Sequence, residues 1–462
     1  MYLADRHRPA ASGAPGRRGA RSPVARTVIL LGLVSLATDV SSESAAAVLP
    51  LYLTAGLGLS PLAYGFIDGL YSAASVVVRY LGGWLADHLD RPKQVALAGY
   101  TLSALARTVL LWTPGAGVVA GVLGVDRLGK GLRTAPRDVL IAASSAPAFL
   151  GRSFGVHRAL DTTGAMLGPL LAFAALWAVP DDYRLVFVIS LAAAVIGVAL
   201  LALLVPDLRP ARESVAEASS RPGAELGDVS GEALGEALGE RAGETPVESA
   251  PQTAGETPGD GPDQPPRPRV RLLLEPGFAR LVGAAGLLGL LTLSDAFIYL
   301  VLQHRNDLAA QWFPLLFVGT NLAYLSLAVP FGRVADRFGR ARVMVVGHVF
   351  LVGAYLCAAG PARSLVVGAC CLLLLGAFYA STDGVLAAAA SSLVGPEARG
   401  SAIATAQSAV ALARLGAAVV FGWSWTLVGP GRAAVLMAAL LALAVPVAWL
   451  VLRPATRTGA QS

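Results

Sequence analysis

Long apolar runs separated by short polar segments dominate the chain. A helix that crosses the ~30 Å hydrocarbon core of a bilayer needs roughly 20 apolar residues, and about twelve runs reach that length. We predict helices, numbered spans 1 to 12, at residues 27–53, 62–85, 94–112, 118–144, 153–178, 184–205, 278–302, 312–334, 343–359, 365–393, 403–428 and 433–452. The pattern therefore predicts an all-α polytopic membrane protein with 12 transmembrane helices.

The composition excludes a soluble enzyme of ordinary type. Hydrophobic residues make up 55% of the 462 residues and charged residues only 14%, whereas a soluble domain has about 25% charged residues. Span 1 follows an arginine-rich start but is much longer than the apolar core of a signal peptide, so we expect it to remain in the membrane. The three cysteines, Cys357, Cys370 and Cys371, lie inside predicted spans without metal-ligand spacing, so we predict no disulfide and no metal site.

One segment, residues 206–271, lacks the apolar pattern. It is rich in Pro, Gly, Ala and Glu, which predicts a disordered linker. We therefore divide the chain into five parts: a basic N-terminal tail (1–26), a six-helix bundle (27–205), the linker (206–271), a second six-helix bundle (272–452) and a C-terminal tail (453–462).

Positive residues predict the orientation, because short loops rich in Lys and Arg stay on the cytoplasmic side. Six arginines precede span 1, Arg91 and Lys93 follow span 2, and four arginines follow span 8, whereas the loops after spans 1 and 3 carry no charge. Both termini and the linker are thus expected in the cytoplasm of a multi-pass cell-membrane protein. The net charge of +6 suits contact with anionic lipids of the bilayer, and no pattern indicates a nucleic acid partner.

The two bundles share short stretches of sequence. Residues 32–39 in span 1 resemble residues 289–295 in span 7, and residues 83–87 after span 2 resemble residues 332–336 after span 8. The order of these matches indicates duplication. Repeated six-span halves are typical of transporters, whose substrate site lies between the halves near the bilayer midplane.

The loop after span 8 contains a Gly-x-x-Ala-Asp-Arg-x-Gly-Arg sequence, and the loop after span 2 contains a second copy that departs at Asp90, where a glycine is usual. In these motifs the chain resembles the major facilitator superfamily, which implies two pseudo-symmetric six-helix bundles. An aspartate beside arginines can tie neighbouring helices and act as a cytoplasmic gate, although the arginines can also serve only to set topology. The gate motif residues are Gly83, Asp87, Arg91, Gly332, Asp336, Arg337, Gly339 and Arg340.

Charged residues inside spans are costly and are seldom left unpaired. Asp39 lies near the middle of span 1, Glu43 lies one turn further on the same face, and Asp295 lies at the corresponding place in span 7. We expect these acids to approach one central cavity, where carboxylates can bind and release protons. Static hydrogen bonds to neighbouring serines are the alternative.

Span 4 carries the densest set of charges. Asp126, Lys130 and Arg133 share one helix face. Arg127, followed four residues later by a glycine, resembles the fourth-helix motif of the superfamily, which implies a part in proton transfer. The proton-coupling candidates are Asp39, Glu43, Asp126, Arg127 and Asp295.

The excess of cationic residues favours an anionic or zwitterionic substrate. The candidates for substrate binding are Arg107, Lys130, Arg133 and Asp383. A structural ladder of salt bridges to Asp126, Asp138 and Asp161 is the alternative for span 4. Arg79 and Arg414 are further intramembrane charges to which the sequence assigns no partner.

In span 5, Gly164, Gly168 and Pro169 resemble the antiporter motif Gly-x-x-x-Gly-Pro of the superfamily, which favours export. Small residues four positions apart also allow helices to pack closely in any membrane protein.

We therefore expect a secondary active transporter that works by alternating access as a proton-coupled efflux antiporter. A proton-coupled importer (symporter) of an anionic or zwitterionic metabolite is the alternative, and a non-transporting membrane sensor is a remote one. The sequence contains no nucleotide-binding loop and no convergent catalytic groups, so we expect neither ATP coupling nor enzymatic activity. We expect no cofactor, with the proton gradient as energy source, and a monomer whose partners are lipid, protons and a small-molecule substrate.

Overall fold

The computed structural model describes residues 25–71, 74, 91–112, 115–145, 149–207, 275–360, 364–383, 385–394 and 399–452. This part of the chain is almost entirely helical and contains no strand. The helices are α1 (Arg26–Leu51, continued by the π-helical turn Tyr52–Gly56), α2 (61–71), α3 (Pro92–Leu110), α4 (Ala116–Ala143), α5 (Leu150–Ala178), α6 (Tyr183–Leu204), α7 (Pro276–Gly289), α8 (Asp295–Asn306), α9 (Phe313–Phe338), α10 (Arg340–Ala359), α11 (Leu365–Thr382), α12 (Val385–Ser392), α13 (Arg399–Val428) and α14 (Pro430–Leu452).

The helices follow the predicted spans within a few residues. Within the described ranges, eight helical segments are long and apolar enough to cross a membrane. The other predicted spans are less apolar or less continuous: α4 carries six charged residues between 126 and 138, and span 7 forms two helices of 14 and 12 residues. The predicted linker, both tails and most of the second half of span 2 lie outside the described residues.

Two spans that the sequence predicts as continuous are interrupted. Span 7 is broken between Gly289 and Asp295, and span 10 is broken after Thr382. At the first break, the hydroxyl of Tyr355 accepts a hydrogen bond from the amide of Leu293 (2.7 Å) and donates one to the carbonyl of Leu291 (2.9 Å). These bonds satisfy backbone groups that have no water to pair with in a membrane interior, so the break is stable there.

Glycines set the closest helix contacts in the first bundle. A Cβ atom on Gly164 of α5 would lie 2.8 Å from Cα of Leu36, and one on Gly168 would lie 2.8 Å from the amide nitrogen of Ser44. Helix α5 continues through Pro169. The residues that resemble an antiporter motif therefore bring α1 and α5 into backbone contact.

This contact predicts the effect of Gly164→Val. The added side chain has no room against Leu36, so we expect a loss of about 1–3 kcal/mol of stability through overpacking, seen as a lower melting temperature of the purified protein. Gly155→Val is the matched control, because Gly155 lies on the same helix and has open space where its Cβ would be. Equal melting temperatures for the two variants would contradict the close α1–α5 contact.

We name the two ends of the helical assembly by their position relative to the chain termini. We call the end that holds residues 52–60, 179–182 and 307–312 the distal end, and the opposite end, where α1 begins and α14 ends, the terminal end. At the distal end the two bundles touch through rings: Trp312 lies 5.5 Å from Phe173 and 5.6 Å from Trp177, between ring centroids.

Helices α2 and α13 also meet at the distal end. A Cβ on Gly65 would lie 3.1 Å from the ring of Phe297, and one on Gly422 would lie 2.9 Å from Cα of Leu62. The ring of Tyr64 packs edge-on against Phe297 with centroids 4.9 Å apart. Close contacts between the bundles thus close the distal end.

Candidate functional site: a central charged cavity

A cavity of about 370 Å³ lies between the two bundles. Helices α1, α2, α3 and α4 of the first bundle and α8, α9, α11 and α13 of the second contribute to its wall. Most lining residues are apolar or aromatic, and the remainder are polar: Ser42, Asp68, Arg107, Asp126, Arg127, Ser294, Asp295 and Arg414. An apolar cavity with a few polar groups is the usual form of a small-molecule site.

Arg107 and Asp126 form a buried ion pair on one wall. The Arg107 Nη2 atom donates to Asp126 Oδ2 at 3.0 Å, and both residues are 4% exposed. The sequence suggests substrate binding for Arg107 and proton coupling for Asp126, and the structure joins these two candidates across α3 and α4. Each neutralises the other, because a charge-assisted hydrogen bond at this distance is strong.

Arg127 follows Asp126 on α4 and lies flat against an aromatic ring. Its guanidinium carbon is 3.5 Å from the ring centroid of Tyr71, which is a cation–π contact. Its Nε atom is buried and has no hydrogen-bond partner among the described residues. Arg127 thus presents a cationic group to the cavity.

Asp295 is the first residue of α8 and lies directly after the break in span 7. The hydroxyl of Tyr379 on α11 donates a hydrogen bond to its carboxyl group. The helix N-terminus carries partial positive charge, which favours the carboxylate. The break therefore places a titratable group in the cavity wall and supports it from two sides.

The other predicted acids lie elsewhere. Asp39 Oδ1 is 3.8 Å from Arg133 Nη2, and Glu43 Oε1 is 3.7 Å from Lys130 Nζ. These pairs join α1 to α4, and neither Asp39 nor Glu43 lines the central cavity. Asp39 and Glu43 therefore do not meet Asp295 in the central cavity, although the sequence led us to expect this. The face of α1 towards the cavity is formed instead by Ser42 and the residues one turn further along.

The charges on α4 form a ladder. From Asp126 to Arg137, each charged residue of the shared face pairs with a neighbouring helix: Asp126 with α3, Lys130 and Arg133 with α1, and Arg137 with Asp161 of α5 at 3.8 Å. Arg137 also pairs with Asp138 at 2.9 Å. This arrangement favours the salt-bridge alternative for Lys130 and Arg133 over direct substrate contact.

Two charged residues of the cavity are absent from the candidates that the sequence suggests. Asp68 lies on α2, in the first half of predicted span 2, and Arg414 lies on α13. An intramembrane charge is itself a functional signal, so the same criterion that selects Asp39 could have selected Asp68. The sequence marks Arg414 as intramembrane but does not place it in a site.

Arg414 also lines a second cavity of about 330 Å³ inside the second bundle. Asp383 and His348 lie in this second cavity, so Asp383 is not part of the central one. The Nε atom of Arg414 is buried and has no hydrogen-bond partner in the described part of the chain. Arg414 therefore connects the two cavities.

Of the gate motif, Gly83 and Asp87 lie outside the described residues, and Arg91 precedes α3. In the second copy, Arg340 Nη2 is 3.3 Å from Asp336 Oδ1, and Arg340 Nη1 donates to the carbonyl of Ala388 on α12 at 3.2 Å. Gly339 joins α9 to α10 with a φ of +98°, which glycine adopts readily. Gly332 and Arg337 lie on the last turns of α9. The role of this motif as a cytoplasmic gate stays a prediction.

Two helical bundles around a charged cavity, with broken helices at the cavity wall, define an integral membrane transporter. The chain belongs to the Major Facilitator Superfamily, whose sequence profile matches residues 31–306 and 290–462. This confirms the fold and family that the loop motifs suggest.

Relatives and solved structures agree with this assignment. An uncharacterised MFS-type transporter of Methanocaldococcus jannaschii is 26% identical over 418 residues, covering 87% of this chain and 89% of that protein. A probable nitrate/nitrite transporter of Mycobacterium tuberculosis is 28% identical over 174 residues, covering 37% of this chain and 42% of that protein. The crystal structure of the nucleoside transporter NupG has a TM-score of 0.70 at 13% identity, covering 93% of this chain and 100% of that chain. This last likeness shows the fold alone.

Proposed function

We propose that this transporter couples substrate movement to protons by alternating access, with Asp295 as the group that binds and releases the proton. The observation that carries the proposal is the position of Asp295, at a helix break in the wall of a cavity lined by both bundles. A carboxyl group in such a place changes its surroundings whenever the bundles move. Burial favours the neutral acid and water favours the anion, so the proton is bound and released in step with the movement.

The positive residues support an orientation in the cell membrane with both termini in the cytoplasm. In that orientation the distal end faces outward. Contacts such as Trp177 with Trp312 then close the outer side of the protein. The proton gradient supplies the energy in this proposal, and no ATP is needed.

Between import by symport and efflux by antiport, the cavity best supports symport of an anionic or zwitterionic metabolite. Arg127 and Arg414 line the cavity without an ion pair in the described part of the chain. When a proton neutralises Asp295, unpaired cationic charge remains and attracts an anion. Proton and anion then bind together, as symport requires, and the likeness to a probable nitrate/nitrite transporter agrees with an anion.

Efflux by antiport is the second candidate. The resemblance of Gly164, Gly168 and Pro169 to the antiporter motif favours it. The same glycines already serve the close packing of α1 on α5, so their presence has a structural reason that is independent of direction.

Untargeted mass spectrometry of cells that lack the gene tests both directions. We expect a metabolite to be depleted inside and left unused in the medium, and complementation with the wild-type gene to reverse this. A compound that instead accumulates inside and disappears from the medium would establish efflux and overturn symport. Cells complemented with the Gly155→Val variant are the control for expression of an altered but folded protein.

A further inference from the structure

The cavity contains two cationic side chains that lack ion-pair partners. Arg107 is neutralised by Asp126 at 3.0 Å, whereas neither Arg127 nor Arg414 has an acidic partner within ion-pair distance among the described residues. Each has a buried Nε atom without a hydrogen-bond partner in that part of the chain. The Nε atom of Arg107 is likewise buried without a hydrogen-bond partner in that part of the chain. Leaving a buried donor of a charged group unpaired is costly, so a site with such donors is suited to an anionic ligand.

The two arginines come from opposite bundles. Arg127 belongs to α4 and Arg414 to α13, and both line the same cavity. The Tyr71 ring covers one face of the Arg127 guanidinium, and the Nε–H group in the plane has no hydrogen-bond partner among the described residues. A planar oxyanion that contacts both arginines would be held by both bundles at once.

The rest of the wall indicates what the anion is attached to. Leu49 and Leu53 of α1, Ile67 of α2 and Leu110 of α3 line the cavity, and Phe317 adds an aromatic surface. A volume of about 370 Å³ is within the range of sites for organic ligands and is much larger than a nitrate ion requires. A ligand that fills this cavity would therefore have an apolar body.

We propose that the central cavity binds an organic carboxylate, with the carboxylate group between Arg127 and Arg414 and the apolar body against α1 and α3. The proposal rests on the transport function proposed above and names its substrate class. A guanidinium group matches the carboxylate in geometry and can donate two parallel hydrogen bonds to it. Contacts from both bundles link substrate binding to the relative position of the bundles.

Acidic side chains compete with this ligand for the arginines. Asp68 on α2 and Asp295 on α8 line the same cavity, and Asp383, directly after α11, lies with Arg414 in the second cavity. A proton on Asp295 removes the competitor nearest the break in span 7. Binding of the carboxylate is then promoted by the proton, which is the order of events expected for symport.

Thermal unfolding of the purified full-length protein with three probes tests the proposal. Benzoate has a carboxylate on an apolar ring, benzamide has the same shape without the charge, and nitrate is a planar oxyanion without an apolar body. We expect benzoate to raise the melting temperature in a concentration-dependent manner and to bind at least about tenfold more tightly than benzamide or nitrate. No shift with benzoate, or an equal shift with benzamide, would overturn the carboxylate site.

An equal shift with nitrate would overturn the organic part of the proposal and leave an inorganic oxyanion as ligand. The measurement needs no transport, so its outcome is separate from that of the proton-coupling proposal. Because the comparison of benzoate with benzamide uses the wild-type protein, it holds even if a variant fails to fold.

Substitution of the arginines locates the site. We expect Arg127→Gln and Arg414→Gln each to weaken benzoate binding by about tenfold or more, since a hydrogen bond to a charged group contributes roughly 1.5–3 kcal/mol. Arg280→Gln is the control, because Arg280 is exposed on α7, hydrogen-bonds to the carbonyl of Pro276 and does not line the central cavity. Undiminished benzoate binding in both folded Arg→Gln variants would place the carboxylate elsewhere and contradict the proposal.

Discussion

Substituting Asp295 by Asn is expected to abolish transport driven by a pH gradient while leaving folded protein in the membrane. Asparagine has nearly the same shape as aspartate and keeps an oxygen that can accept the hydrogen bond from the Tyr379 hydroxyl. It carries no exchangeable acid proton, so the step that ties substrate movement to protons is lost. The measurement is the accumulation of the metabolite identified by mass spectrometry in vesicles with an imposed pH gradient.

We expect uphill accumulation in Asp295→Asn vesicles to fall to the level of vesicles without the protein, while downhill exchange continues. Asp181→Asn is a suitable control, because Asp181 is exposed in the loop before α6 and its φ of 60° is one that asparagine also tolerates. Unchanged gradient-driven accumulation in Asp295→Asn would exclude Asp295 as the coupling group. Asp68, which lines the same cavity, would then be the next carboxyl group to substitute.

Breaking the Arg107–Asp126 pair is expected to destabilise the protein more than any other single change in the ladder. In Asp126→Leu the guanidinium of Arg107 stays buried without its partner, and removing one member of a buried pair costs about 3–5 kcal/mol. The expected result is a large fall in the melting temperature of the purified protein. Asp336→Ala is the matched control, because it breaks an ion pair with Arg340 that is exposed to solvent and worth at most about 1 kcal/mol.

The double variant Arg107→Met with Asp126→Leu separates a stability role from a role in transport. We expect it to recover most of the melting temperature, because replacing both members of a buried ion pair by apolar residues is often neutral. If transport stays absent in this stable variant, the pair takes part in the transport cycle. A melting temperature of the double variant no higher than that of Asp126→Leu would show that the pair is not an isolated two-residue interaction.

The helices were predictable because apolar residues must run for a bilayer thickness, and this demand is local in sequence. The breaks in spans 7 and 10 were not predictable in this way. Nothing within residues 290–294 marks the end of a helix as clearly as the hydroxyl of Tyr355, which lies more than 60 residues away and supplies the missing hydrogen bonds. A side chain that caps a break from another helix is invisible to periodicity.

In the candidate site, too, features within one helix were predictable and contacts between helices were not. Periodicity correctly grouped Asp126, Lys130 and Arg133 on one face of α4, since helix geometry alone decides this. It did not assign partners, so Asp39 and Glu43 were expected in the cavity although they pair with α4. Arg414 could not be assigned to the same cavity as Arg127, because α4 and α13 are far apart in the chain and share a cavity only when the two bundles pack.

The sequence by itself determined the membrane class, the position of most spans and the family. Apolar runs of bilayer length and the loop motifs each consist of residues that are consecutive in the chain, so they can be recognised without the fold. Only the tertiary structure decided which charges neutralise one another and which remain to face the central cavity. Electrostatic interaction depends on distance in space, and the packing places Arg107 3.0 Å from Asp126 but places Arg127 against the ring of Tyr71.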